Sequence, residues 1–61
     1  MRCLVVKEEK NLLLLREIDN TGMPTDLLIV YKYKNQYYLI SRSKTMRNAE
    51  NIYNQTLKEL K

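Results

Sequence analysis

The chain has 61 residues, with 11 lysines and arginines against 7 aspartates and glutamates, a formal charge of +4 and no histidine. That length holds one domain, which buries only about 60% of its unfolded surface. The single cysteine, Cys3, excludes an internal disulfide, and the missing histidine removes the commonest zinc ligand and general base, so no metal site and no cofactor are expected.

The chain reads as one α+β domain over residues 1–61, a four-stranded antiparallel β-meander followed by one amphipathic helix packed on one face. The first strand covers about residues 2–7. Its apolar positions fall on both sides, Cys3 and Val5 on one, Leu4 and Val6 on the other. A polar turn runs from Lys7 to Asn11. The second strand covers residues 12–18, where four leucines are too few for a helix and turns flank them. The segment Asp19 to Asp26 holds the only glycine and proline and is the longest loop. The third strand, about 27–34, is rich in β-branched and aromatic residues. Asn35-Gln36 is expected to close a tight turn onto a fourth strand at 37–42. From about residue 44 to 60 the apolar spacing becomes helical: Met46, Ala49, Ile52, Tyr53, Leu57 and Leu60 form one stripe. Ser43 or Thr45 can cap it.

A turn at Asn35-Gln36 sets Tyr33 opposite Tyr38, Tyr31 opposite Ile40 and Ile29 opposite Arg42. One face of this hairpin then carries Leu27, Ile29, Tyr31, Tyr33, Tyr38 and Ile40. The other carries Leu28, Val30, Lys32, Lys34, Tyr37 and Leu39. The first is nearly all apolar, and the second is apolar at one end and basic and aromatic at the other. A sheet of four strands is roughly 15–19 Å across, whereas one helix is about 10–12 Å wide. The helix covers one face, so apolar surface is left over for an interface. Leu28, Val30, Lys32, Tyr37 and Leu39 are its expected members. Small scaffolds without staples gain stability by self-association, so the first partner expected there is a second copy, as a homodimer.

Arg42, Lys44 and Arg47 cluster where the fourth strand enters the helix, beside free backbone amides, and form a candidate anion site. The plainer reading, preferred here, is solvated charge with Arg47 paired to Glu50. The tyrosines at 31, 33, 37 and 38, interleaved with Lys32 and Lys34, fit either a protein contact or a stacking platform for bases. Protein contact takes the larger share, because Tyr33 and Tyr38 are expected to point toward the core. Cys3 is read as a small buried apolar residue. With no histidine and no glycine-rich phosphate loop, the chain is not expected to be an enzyme.

The run Tyr37-Tyr38-Leu39-Ile40-Ser41-Arg42-Ser43-Lys44, with Ala49 and Tyr53 beyond it, resembles a pattern in short phage and mobile-element accessory proteins, over about 25 residues. There a last strand runs into a capped helix whose Ala and aromatic residue pack on the sheet. The resemblance implies an inhibitor, acting as a homodimer, that blocks a host or bacterial-defence protein by surface contact. The basic charge disfavours mimicry of DNA. The alternative is a small module binding nucleic acid or a signalling nucleotide through its basic patch. One cysteine indicates a reducing compartment. No apolar run reaches the ~18 residues that cross a bilayer, and the opening apolar run is too short for a signal peptide. A cytoplasmic protein with no membrane contact is expected.

Overall fold

A computed structural model of the chain describes residues 2–60. Strands β1 (Arg2–Glu9), β2 (Leu12–Ile18), β3 (Pro24–Tyr33) and β4 (Gln36–Ser43) form one antiparallel sheet in the order β1-β2-β3-β4, and α1 (Met46–Glu59) follows. The expected α+β meander with a C-terminal helix on the sheet is therefore the observed fold.

Both hairpins turn on the dipeptide Lys-Asn. Lys10 and Asn11 have φ of 54° and 67°, and Lys34 and Asn35 have φ of 50° and 65°. Two successive residues with positive φ make a turn whose twist matches that of the strands it joins. Asparagine tolerates this conformation, while lysine bears a steric cost there. The turn at Lys34-Asn35 corrects the expected one at Asn35-Gln36. Tyr33 pairs with Gln36, and Tyr31 with Tyr38. The slip is two residues, an even number, so Tyr37, Tyr38 and Leu39 keep their expected faces.

A bulge then changes the far end of the hairpin. Val30 pairs with Leu39 but Ile29 pairs with Ser41, leaving Ile40 without a partner on β3. Arg42 consequently sits opposite Leu28, not Ile29, and moves to the other face. A second irregularity leaves Val6 unpaired between Val5 and Lys7, and a third falls between Arg16 and Ile18. β3 begins earlier than expected, so only residues 19–23 form the β2–β3 loop. There Asp19 Oδ1 accepts from the Thr21 and Met23 amides and from the Thr21 hydroxyl, at 2.9, 3.0 and 2.6 Å. The Thr21 hydroxyl bond is the first cause, and the Met23 amide the second, of a carboxyl held below its ordinary range.

Thr45 is the cap of α1, its Oγ1 accepting from the Asn48 amide at 3.3 Å. The core is a single layer between α1 and the two central strands: Leu12 and Leu14 of β2, Leu27 and Ile29 of β3, Ala49 and Tyr53 of α1. Tyr31, Met46, Ile52, Leu57 and Leu60 pack around it. Each large side chain fully removed from water there contributes roughly 1.5–3 kcal/mol. The Tyr53 hydroxyl donates to the Leu12 carbonyl oxygen at 2.9 Å, satisfying a polar group inside that layer.

The helix runs diagonally. It starts just beyond β4, at the end of the sheet away from the hairpin turns. It finishes with Asn54, Leu57 and Lys58 beside Glu9 and Lys10 of the first turn. Two corners of that face are left uncovered. One holds Leu4 of β1. The other holds Tyr33 and Tyr38 at the second turn, and all three side chains are about half exposed.

Candidate binding face

The side of the sheet away from α1 has no covering layer. Strand register determines its membership, because paired residues share a face and alternate residues switch. One row reads Glu8, Leu13, Val30, Leu39 across β1 to β4, and the next reads Val5, Leu15, Leu28, Arg42. Lys32 and Tyr37 pair beyond the first row, on the side of the hairpin turns. Cys3 and Glu17 pair beyond the second.

All five expected interface residues therefore lie together on this open face, though not equally exposed. Leu28 and Val30 are already buried among their neighbours, Lys32 is half-buried, and Tyr37 and Leu39 stand 61% and 59% exposed. Val5 on the opposite edge is 58% exposed. The face is thus a shielded apolar centre of Leu13, Leu28 and Val30 between two flanks set in water. Val5, Leu13 and Leu15 were missed in the sequence, because the register of the first hairpin was not assigned. The period-two spacing of Cys3 with Val5, and of Leu13 with Leu15, carries that signal.

Charge closes one end of the face. Glu17 is buried, and its Oε1 accepts from the Thr25 hydroxyl at 3.0 Å and from Arg42 Nη1 at 3.5 Å. Arg42 Nη1 also donates to Asp26 Oδ2 at 2.7 Å. These bonds, the one to Asp26 foremost, raise the guanidinium further above its already high pKa. Of the three anion-site candidates, Arg42 thus points to the open face, where two carboxylates engage it. Lys44 and Arg47 stay exposed near the start of α1. Among the described residues both ion pairs belong to Arg42, so the Arg47–Glu50 pair expected from the sequence is not formed. No acidic residue occupies the first turn of α1.

The aromatic residues divide between the faces. Tyr31 and Tyr33 stack with centroids 6.3 Å apart on the helix side, where Tyr33 and Tyr38 lie past the cover of α1 rather than in the core. Lys34 Nζ lies 5.3 Å from the Tyr33 centroid, and Lys32 Nζ lies 6.0 Å from that of Tyr37. Cys3 is exposed on β1, which corrects the expectation that it is buried; β1 is an edge strand whose residues are all exposed. An open cleft of about 410 Å³ lies between the first turn and the end of α1, lined by Glu9, Lys10, Asn54, Leu57 and Lys58. Its walls are charged and amide side chains with one leucine, and no set of groups converges there as a ligand pocket requires. Among the described residues no three potential metal ligands cluster, and no helix is long and apolar enough to cross a membrane.

Fold and surface together define a sheet-and-helix scaffold with an uncovered apolar sheet face and an aromatic corner. The chain matches no family model, no curated protein and no solved structure.

Proposed function

We propose that this chain is a non-enzymatic binding protein that acts as a homodimer and inactivates a host or bacterial-defence protein by occupying its surface. The observation that carries the reading is the apolar and aromatic surface left in water on both sides of the sheet: Val5, Tyr37 and Leu39 on the open face, Tyr33 and Tyr38 past the helix. A chain this small gains little by leaving such groups bare, and tyrosine is a preferred anchor of protein interfaces. The residue inventory agrees with binding rather than chemistry. The chain has no histidine, and the buried carboxylate Glu17 is held by Thr25 and Arg42. The inhibitor role, in a phage or mobile-element setting, rests on the resemblance of β4 and α1 to short accessory proteins. The test is capture from host lysate with tagged wild-type protein and with a Tyr33→Ala/Tyr38→Ala variant. One protein retained by the first and lost by the second supports the role. Recovery of nucleic acid alone overturns it.

A second reading has its own observation. Lys10, Lys32 and Lys34 gather at the hairpin-turn end with exposed Tyr33, Tyr37 and Tyr38, two of whose rings carry a lysine ammonium. Such a surface suits stacking on unpaired bases. Fluorescence anisotropy with labelled single strands separates the readings: binding that collapses with added salt favours nucleic acid, and unchanged anisotropy at low salt removes it.

A further inference from the structure

We infer that β1 is where two copies of this chain join. The two edge strands pair antiparallel about a twofold axis that crosses the sheet between Val5 and Val6, so the four strands of each copy run on as one sheet. This deepens the homodimer proposed above and rests on it, and it leaves the tyrosine corner free for the target.

The first argument is what β1 lacks. It ends the sheet, its outward N–H and C=O groups have no strand beside them, and all 8 of its residues are exposed. The helix α1 packs chiefly on β2, β3 and β4. A lone edge is ordinarily guarded by charge. Here the centre of the edge is Leu4, Val5 and Val6, which are 53%, 58% and 40% exposed. The charges stand toward the ends, Arg2 at one and Lys7, Glu8 and Glu9 at the other.

The second argument is register and charge. Full antiparallel overlap of β1 with itself sets Arg2 against Glu9, Cys3 against Glu8, Leu4 against Lys7 and Val5 against Val6. In an unbroken strand those partners would lie on opposite faces. The bulge at Val6 shifts the alternation by one, so Arg2, Leu4, Lys7 and Glu9 share the helix side while Cys3 and Glu8 share the open side. A bulge otherwise turns an edge away from neighbours, but in this register the two bulges meet at the axis and match. Among the described residues Arg2 and Glu9 form no ion pair within one chain; across the axis they make two. Leu4 gains the stem of Lys7, whose ammonium rests 5.9 Å from the Tyr53 centroid. The other edge, β4, is equally long and bulges at the same place, and charge separates the two. β1 balances Arg2 and Lys7 with Glu8 and Glu9, whereas residues 27–49 carry Lys32, Lys34, Arg42, Lys44 and Arg47 and no carboxylate. Two copies repel along β4 and meet without net charge along β1, whose pattern is complementary to itself as a twofold contact requires.

Charge reversal tests the register. Arg2 and Glu9 are exposed, so Arg2→Glu, Glu9→Arg and the double swap should keep the wild-type circular dichroism. Sedimentation equilibrium from micromolar to roughly millimolar concentration should reach twice the 7.4 kDa chain mass for wild type. Each single variant sets like charges opposite each other twice and should weaken dimerisation by about tenfold at low salt. The double swap should restore wild-type dimerisation. An equimolar mixture of the two single variants should pair at least as well as wild type, because each supplies the charge the other lacks. A dimer built on β4 or on the open face would be indifferent to all of these changes. A monomeric wild type overturns the inference, as does a single variant that dimerises like wild type, or a swap or mixture that fails to recover. A monomer that still captures a protein leaves the binding role standing. A β1-paired dimer that captures none supports the pairing and removes the inhibitor role.

Discussion

Tyr53 joins the two layers of the molecule through one hydroxyl, and it shows how one side chain can fix a docking angle. Its ring is buried against Leu12 and Leu14, the Lys7 ammonium lies 5.9 Å from its centroid, and its hydroxyl reaches the Leu12 carbonyl. Tyr53→Phe keeps the ring and leaves that carbonyl without its donor. The loss should be about 1 kcal/mol, a fall in Tm of roughly 4–8 °C for a chain of this size, measurable by thermal circular dichroism. Burial first, then the charge of Glu9, raises the Tyr53 pKa above its ordinary value. A group that binds its proton more tightly when folded stabilises fully below its unfolded pKa and loses that contribution as pH rises through the folded one. Raising the pH above about 10 should therefore destabilise wild type. The Phe variant should lack the part of that dependence due to Tyr53.

Element by element, the turns and bulges were hardest to read and the helix easiest. Its stripe, Ala49 included, follows from spacing alone, because a 3.6-residue period leaves one solution; its cap was narrowed to Ser43 or Thr45, and the structure selects Thr45. Ala49 has no exposed surface at all where α1 crosses the sheet. Ala49→Leu should force the layers apart and destabilise by about 1–3 kcal/mol, seen as a lower urea midpoint at unchanged m-value. The second hairpin was legible in its existence but not in its register. Lysine is a poor residue for a left-handed turn, so Lys34 did not mark itself as a turn position. The bulge at Ile40 left no mark either, since Leu39, Ile40 and Ser41 read equally well in an unbroken ladder. That bulge is why Arg42 reaches Glu17 and Asp26, a contact invisible in the sequence. The turn itself can be improved: Lys34→Asn with Asn35→Gly supplies the residues this geometry favours. The pair should raise stability by about 0.5–1 kcal/mol, read from the same urea titration.

At the scale of the whole molecule, the mismatch between one helix and a four-stranded sheet was visible from widths alone. Its distribution was not. Two of the five expected interface residues, Leu28 and Val30, are shielded by row neighbours, and the exposed ones, Tyr37 and Leu39, sit on the edge strand β4. The diagonal path of α1, which bares the Leu4 and Tyr33/Tyr38 corners, depends on where its C-terminal turn meets Glu9 and Lys10, and no periodicity encodes that. The helix is what makes one side of the sheet tolerable in water. A chain ending at Ser43 should precipitate or oligomerise without limit at concentrations where the full chain stays soluble, which a sedimentation assay of the two side by side would show.

Every strand of the meander pairs with the one made just before it, across gaps of two, five and two residues. Such a ladder can zip up progressively as the polypeptide is synthesised, with little loop entropy to overcome. Leu12, Leu14, Leu27 and Ile29 nonetheless find their cover only in α1, made after all four strands. Until the ribosome releases α1, the nascent sheet is sticky on both sides, so the interval between completing β4 and docking α1 is when this protein most needs a chaperone.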